Sequence, residues 1–385
     1  KTAVDDETLQ RIAAHITAVP EGFMIHPKLG QIIETKARLF AEKKQVDWSF
    51  AESLAFGSLL LEGVAVRLSG QDCERGTFSQ RHLTWWDNAS ATPNAYTPLS
   101  TLSASQARFM GFDSPLSEYS VLGFEYGYSL VNPQKLVLWE AQFGDFSNGA
   151  QVIFDNFISC GESKWRRSSG LVMLLPHGNE GQGPDHSNAH LERFLHMCAE
   201  ENMHVCNLTT PAQYFHALRR QIAARYRKPL IIMAPKSLLR HPLVVSYLSD
   251  LTGKGFEAVL DDPWKIENVG RLILCSGKIY YDLYAHREKT ARTDVAIVRI
   301  EQLYPFPSEL IGQMLLRYAH AKSVLWVQEE HKNFGAWYFI RERFASVFPD
   351  IKLVYTGRPE SASPATGRLK QHRAEQQKVV ENAFA

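Results

Sequence analysis

The sequence is poor in most of the signals that assign a function quickly. Five cysteines occur among 385 residues, Cys73, Cys160, Cys198, Cys206 and Cys275, with no CxxC and no metal-like spacing. An odd count of this kind argues against a disulfide framework and for a reducing compartment. Cys206 and Cys275 lie in apolar strand patterns and read as buried thiols. Neither charge sign dominates: 42 Lys and Arg oppose 41 Asp and Glu, for a net charge of +1. That balance excludes a global field that gathers nucleic acid or anionic membrane, and the basic stretch from Arg219 to Lys228 reads as the solvated face of a helix. No apolar run approaches the roughly 20 residues that span a bilayer, and no secretory leader opens the chain. GxSxG, HExxH and the P-loop are absent, and Gly178, Gly181 and Gly183 do not reproduce the dinucleotide fingerprint. There is no repeat of about 20 to 50 residues and no low-complexity tract. The first residue is Lys1 rather than Met, which points to a fragment or a processed product.

What is present is an ordinary globular composition, 45% hydrophobic and 22% charged, long enough for two domains with a core each. Residues 1–45 carry two polar helix patterns separated by Pro20 and Pro27, an arm or linker packed on something larger. From 46 to 236, short apolar runs without alternation (such as LVLW, LVMLL and LIIMA) alternate with helical periodicity. Strands buried on both faces and joined by helices imply parallel crossovers, hence a doubly wound α/β domain. Residues 237–385 repeat the alternation on a smaller scale and form a second α/β domain.

Three phrases carry the chemistry. In SPLSEYSVLGFEYGYS, Glu118 starts an apolar helix pattern; enclosure by Leu116, Val121, Leu122 and Phe124 would raise its pKa and suit it to proton sharing. Its plain reading is an acid complementing a helix dipole. In WEAQFGDFSNGAQ, Phe143 and Phe146 follow a strand and offer a stacking floor for a flat ring, with Gln142 as an amide partner. Alone they read as core. In PHGNEGQGPDHS, His186 sits in a Gly-rich loop at a strand end, where α/β folds place ligands, and can exchange protons with a substrate; His177 is a similar candidate. His186 and His190 are four apart, but no third metal ligand stands at a recognised spacing. Arg75, Arg81 and His82 in ERGTFSQRH either bind an anion or form an interface salt-bridge cluster.

These phrases, with RLSGQD, KPLIIMAPKSLLRHP, CSGKIYYDL, VAIVRIEQLYPFP, VQEEHKNFGAW and GRPESASPATG, closely resemble the C-terminal half of the 2-oxoglutarate dehydrogenase family, from about Asp47 to Ala385. The resemblance implies a transketolase-like pyrimidine-binding domain followed by a smaller C-terminal domain. It implies thiamine diphosphate as cofactor, with Glu118 on the pyrimidine N1′ nitrogen, Leu116, Gln142, Phe143 and Phe146 in the aminopyrimidine pocket, and His186 facing the reacting substrate. His177, His82 and Arg81 are weaker substrate-side candidates. The implied reaction is decarboxylation of 2-oxoglutarate with succinyl transfer to a lipoyl group. The implied partners are a second copy of the chain, the lipoyl-bearing succinyltransferase and dihydrolipoamide dehydrogenase, in a bacterial cytoplasm or a mitochondrial matrix. Two departures stand out. Asn188 and His190 replace residues in an HSSAR pattern, which touches loop contacts. No GDG is followed by the Asn that holds diphosphate and Mg²⁺, so that domain is expected elsewhere and this chain alone is expected to be inactive. Rival readings are the same chemistry on 2-oxoadipate, a sugar transketolase, and a dimerisation or docking fragment without catalysis.

Overall fold

A computed structural model describes residues 1–385. Seven strands form the larger sheet, in the order Gln302–Tyr304, His204–Cys206, Leu230–Ala234, Val172–Pro176, Leu136–Glu140, Val66–Gly70 and Phe109–Asp113. All neighbours run parallel except the first pair. Leu136–Glu140 and Val172–Pro176 are buried along their whole length. Helices cover both faces of this sheet, which is why these strands are apolar without alternation. After Val66–Gly70 the chain moves to the edge with Phe109–Asp113, then returns to the other side of its starting strand with Leu136–Glu140. Strand order therefore reverses between Val66–Gly70 and Leu136–Glu140, and a crevice opens beyond their carboxyl ends. Gly70 is required there: a Cβ on it would stand 2.2 Å from the Glu140 carbonyl oxygen.

The smaller sheet has the order Val259–Leu260, Val295–Ile300, Arg271–Cys275, Ser323–His331 and Leu353–Arg358, parallel apart from its first strand. Directly after Val295–Ile300 the chain crosses over, and Gln302–Tyr304 completes the edge of the larger sheet. The expected single core per domain is not how the apolar side chains group. Two clusters form, and each draws on both halves: Leu208 and Tyr214 pack in one cluster with Cys275 and Tyr281, Trp139 and Phe154 in the other with Trp326 and Trp337.

The N-terminal residues are likewise built in. Asp5 caps the helix Asp6–Ile16 by accepting from the Thr8 amide, and Leu9, Ile12, Ala13 and Ile16 bury one stripe of it in the main core. A short strand, Gln45–Val46, pairs antiparallel with Ser246–Tyr247.

The stretch Gly144–Ile158, which follows the strand Leu136–Glu140, is a broken element. A 3₁₀ segment, Gly144–Ala150, leads through one α turn into a π turn at Phe154–Ile158. The helix Leu191–His196 is short, and Glu200 and Glu201 beyond it adopt positive φ. Such irregular turns concentrate beside functional sites.

Candidate active site

The reversal point brings three loops together: Gln71–Asp72 after the first strand, Gln142–Phe146 after the second, and the loop from His177 to His186 after Val172–Pro176. Phe143 and Phe146 lie 5.7 Å apart at 66°, and the His186 ring stands edge-on to both, 4.5 Å from Phe143 and 5.7 Å from Phe146. Phe78 supports Phe143 from behind at 5.6 Å. Contacts of this geometry are each worth about 1 kcal/mol beyond area burial. Gly144 lets the group close: a Cβ on it would meet the Ala189 Cβ at 2.4 Å and the Pro176 carbonyl at 2.7 Å.

Glu118 is the first residue of the helix Glu118–Val131, whose start is capped by Ser117. Its Oε1 accepts from Gln71 Nε2 at 3.1 Å. Its Oε2 faces Gly149, where an added Cβ would stand 3.6 Å away, so the 3₁₀ segment carrying Phe146 runs beneath the carboxylate. The apolar enclosure expected around Glu118 does not form within one chain. Leu122 is buried, but Leu116 is 83% exposed and Phe124 points outward, leaving Glu118 half-buried. Gln142 donates to Asp72 at 3.2 Å rather than to Glu118.

Three weaker candidates take other roles. Arg81 is buried and saturated: it binds Glu52 and Glu140 and donates to the Cys73 carbonyl. It is an ion-pair cluster, as one alternative held, but within the chain, and it has no donor left for a substrate. Burial raises the Glu140 carboxyl above the usual range despite Arg81 beside it. His82 contacts the Ser79 carbonyl, and burial, then Lys36, lowers its pKa. His177 is buried, with Nε2 against Glu330 at 2.7 Å and Nδ1 facing the Ala189 amide at 3.1 Å. Burial opposes a charge on His177, and the Glu330 carboxylate outweighs it and raises the pKa. With its proton on Nε2 the ring meets both contacts at once, donating to Glu330 and accepting the Ala189 N–H at Nδ1. His190 bonds Glu192 and starts the following helix, and no three His, Cys, Asp or Glu side chains are grouped to hold a metal.

Sequence reasoning passed over four residues of the site: Gln71, Asp72, Asp145 and Lys236. Gln71 and Asp72 had a signal, standing at the end of a strand in RLSGQD. Asp145 and Lys236 are buried polar residues whose partners are distant in sequence.

Beside Glu118 lies an apolar face without cover. Phe112, Leu116, Tyr119, Phe124, Val131, Val152, Phe157 and Trp165 are exposed, Val131 by 86%. The Arg67 guanidinium, paired with buried Glu125, spreads over Phe112, Phe124 and Tyr128. Exposed apolar surface of this extent is uncommon on a monomeric protein.

Residues 44–242 match the family described as the pyrimidine binding domain of transketolase, and residues 245–384 match the family described as the C-terminal domain of 2-oxoglutarate dehydrogenase. Along its whole length the chain is 52% identical to a 2-oxoglutarate dehydrogenase E1 component of Brucella anthropi, and 51% identical to those of Brucella ovis and Brucella canis. The chain spans 40% of the length of each of these relatives.

Proposed function

This chain belongs to the 2-oxoglutarate dehydrogenase E1 family, and from that premise we propose that it supplies the aminopyrimidine side of a thiamine diphosphate site. In the complete protein that site decarboxylates 2-oxoglutarate and passes the succinyl group to a lipoyl group of the succinyltransferase partner. The observation that carries the reading is the convergence of Phe143, Phe146, His186 and Glu118 at the strand-order reversal.

The residues present fit the aminopyrimidine. Phe143 and Phe146 offer aromatic surface against a flat ring, and Glu118 keeps one oxygen open while Gln71 fixes the other. No comparable set fits the diphosphate or Mg²⁺, so those contacts are assigned to the part of the relatives that this chain does not span. Bound thiamine diphosphate supplies a carbon nucleophile and an electron sink. Glu118 holds a proton at a pyrimidine nitrogen. His186, packed edge-on against both Phe rings, moves a proton at the substrate oxygen. The aromatic cluster keeps water from this edge of the crevice.

The exposed apolar face next to Glu118 supports a homodimer. Covering it with a second copy would enclose the carboxylate in the apolar surroundings that a single chain lacks, and would bring the partner's diphosphate domain opposite.

The test is Glu118→Gln in the full-length protein, assayed for 2-oxoglutarate decarboxylation and for thiamine diphosphate affinity. Loss of a positioned proton-transfer group costs on the order of 10²–10⁴-fold in rate. A variant with full turnover would refute the assignment.

A further inference from the structure

The turn that carries His186 is gripped by buried side chains along four consecutive residues. Lys236 Nζ donates to the His186 carbonyl at 2.5 Å. Asp145 Oδ1 accepts from the amides of Ser187 at 2.9 Å and Asn188 at 2.8 Å. His177 Nδ1 accepts from the Ala189 amide at 3.1 Å. Lys236, Asp145 and His177 are all buried. Polar groups so enclosed are costly to leave unpaired, so each bond fixes the backbone it touches.

One of these anchors, His177, and the start of the loop at Asn179 trace back to the other sheet. Glu329 and Glu330 are neighbours on the strand Ser323–His331. Glu329 accepts from the Asn179 amide at 2.9 Å and pairs with Lys278 at 2.5 Å. Glu330 meets His177 Nε2 at 2.7 Å. Adjacent carboxylates of the C-terminal half therefore hold both ends of the loop 178–188. One acts at Asn179 directly, and the other acts at Ala189 through His177.

The His177 ring can serve Ala189 only with its proton on Nε2 and a lone pair on Nδ1. A carboxylate facing Nε2 selects that tautomer. Without it, the ring is free to turn or to place the proton on Nδ1, and the buried Ala189 N–H loses its acceptor.

We propose that Glu330 is a positioning residue for His186. Through the His177 ring it sets the backbone three residues beyond His186 and so the position of the imidazole against Phe143 and Phe146. This inference rests on the reading that His186 faces the substrate.

The experiment uses the full-length protein with Glu330→Leu, Glu330→Gln and His177→Phe, beside His186→Ala. Amide hydrogen exchange over 187–189 is measured together with kcat and KM for 2-oxoglutarate. Glu330→Leu should speed exchange at these amides at least tenfold and lower kcat by about 10²-fold, the loss expected from displacing a reacting group by about 1 Å, with KM within a few-fold. Glu330→Gln still accepts from Nε2 and should restore both readouts to within a few-fold of wild type. If Glu330→Leu does not fold, His177→Phe removes the same acceptor and should give the same two changes. Unchanged exchange at 187–189 in a folded variant overturns the proposal. So does faster exchange with unchanged kcat when His186→Ala is inactive. Full turnover by His186→Ala would instead sink the reading of the site, and exchange in Glu330→Leu would still decide whether the grip exists.

Discussion

Replacing Arg81 with Met should unbalance the most enclosed charge cluster beneath the site. Its guanidinium binds Glu52 Oε1 at 2.5 Å and Glu140 Oε1 at 2.6 Å, and all three residues are buried. Tyr214 adds a hydrogen bond to Glu52. Methionine fills much of the space but leaves two carboxylates facing each other with no cation. Breaking a buried pair by removing one partner costs about 3–5 kcal/mol. With a urea slope of about 3 kcal/mol per M, the midpoint should fall by about 1 M or more. The loss should depend on pH with a definite sign. In the variant the carboxylates take up protons in the folded state well above the unfolded value of about 4.3. The unfolded chain then binds fewer protons, so the variant loses about 1.4 kcal/mol per pH unit for each such group as pH rises. The deficit against wild type should therefore be larger at pH 8 than at pH 5. Adding Glu140→Gln should recover part of the midpoint and flatten the pH slope. Urea titrations at both pH values decide the matter. A shift that is small and independent of pH, with a raised KM for 2-oxoglutarate in the full-length protein, would return Arg81 to the substrate side and refute the argument.

Four further outcomes are expected. Leu116→Asp in the full-length protein should weaken self-association by roughly 10²-fold or more, because a two-fold contact loses two side chains each worth about 1.5–3 kcal/mol; sedimentation that stays dimeric at low concentration would contradict it. Gly144→Ala should destabilise the chain by about 1–3 kcal/mol through overpacking and weaken thiamine diphosphate binding by the full-length protein, since the added methyl strikes Ala189 and Pro176; unchanged melting and affinity would contradict it. Glu301 is pushed up to about 7 by burial, although Arg299 and Thr209 oppose the shift. A raised acid contributes stability that is present below its unfolded pKa and lost as pH climbs through the folded one, so wild type should weaken between pH 5 and 7.5 and Glu301→Gln should flatten that slope in denaturant titrations. In native thiol labelling, half-exposed Cys160 should react first; Cys206, its thiol pushed up to about 11 by burial, and the equally enclosed Cys73, Cys198 and Cys275 should stay protected until unfolding.

The parallel strands were legible because burial on both faces makes them contiguous apolar runs, and Leu136–Glu140, Val172–Pro176 and Leu230–Ala234 could be read directly. Phe109–Asp113 could not. It is an edge strand, half exposed and interrupted by Gly111, and its pattern is that of a loop. Glu118, Phe143, Phe146 and His186 were legible as a set, through the phrases that hold them. The surroundings of Glu118 within one chain were misread, because an apolar neighbour such as Leu116 looks the same in sequence whether it lines a core or lies exposed. Arg81 drew attention as a cation in a turn, yet its fate is fixed by Glu52 and Glu140, 29 and 59 residues away. Asp145 and Lys236 were invisible for the same reason: a lone Asp or Lys at a strand end reads as solvated until the fold reveals what it holds.

The crossover at Gln302–Tyr304 limits how this chain can be taken apart or recombined. A cut near residue 243, in the gap between the two family matches, would strip the outermost ladder from His204–Cys206 and leave its unpaired amides and carbonyls open to any passing chain. Chimaeras that join the first half of one relative to the second half of another must keep a seam matched across some sixty intervening residues. The two halves share their cores and a sheet edge, and should be engineered as one piece.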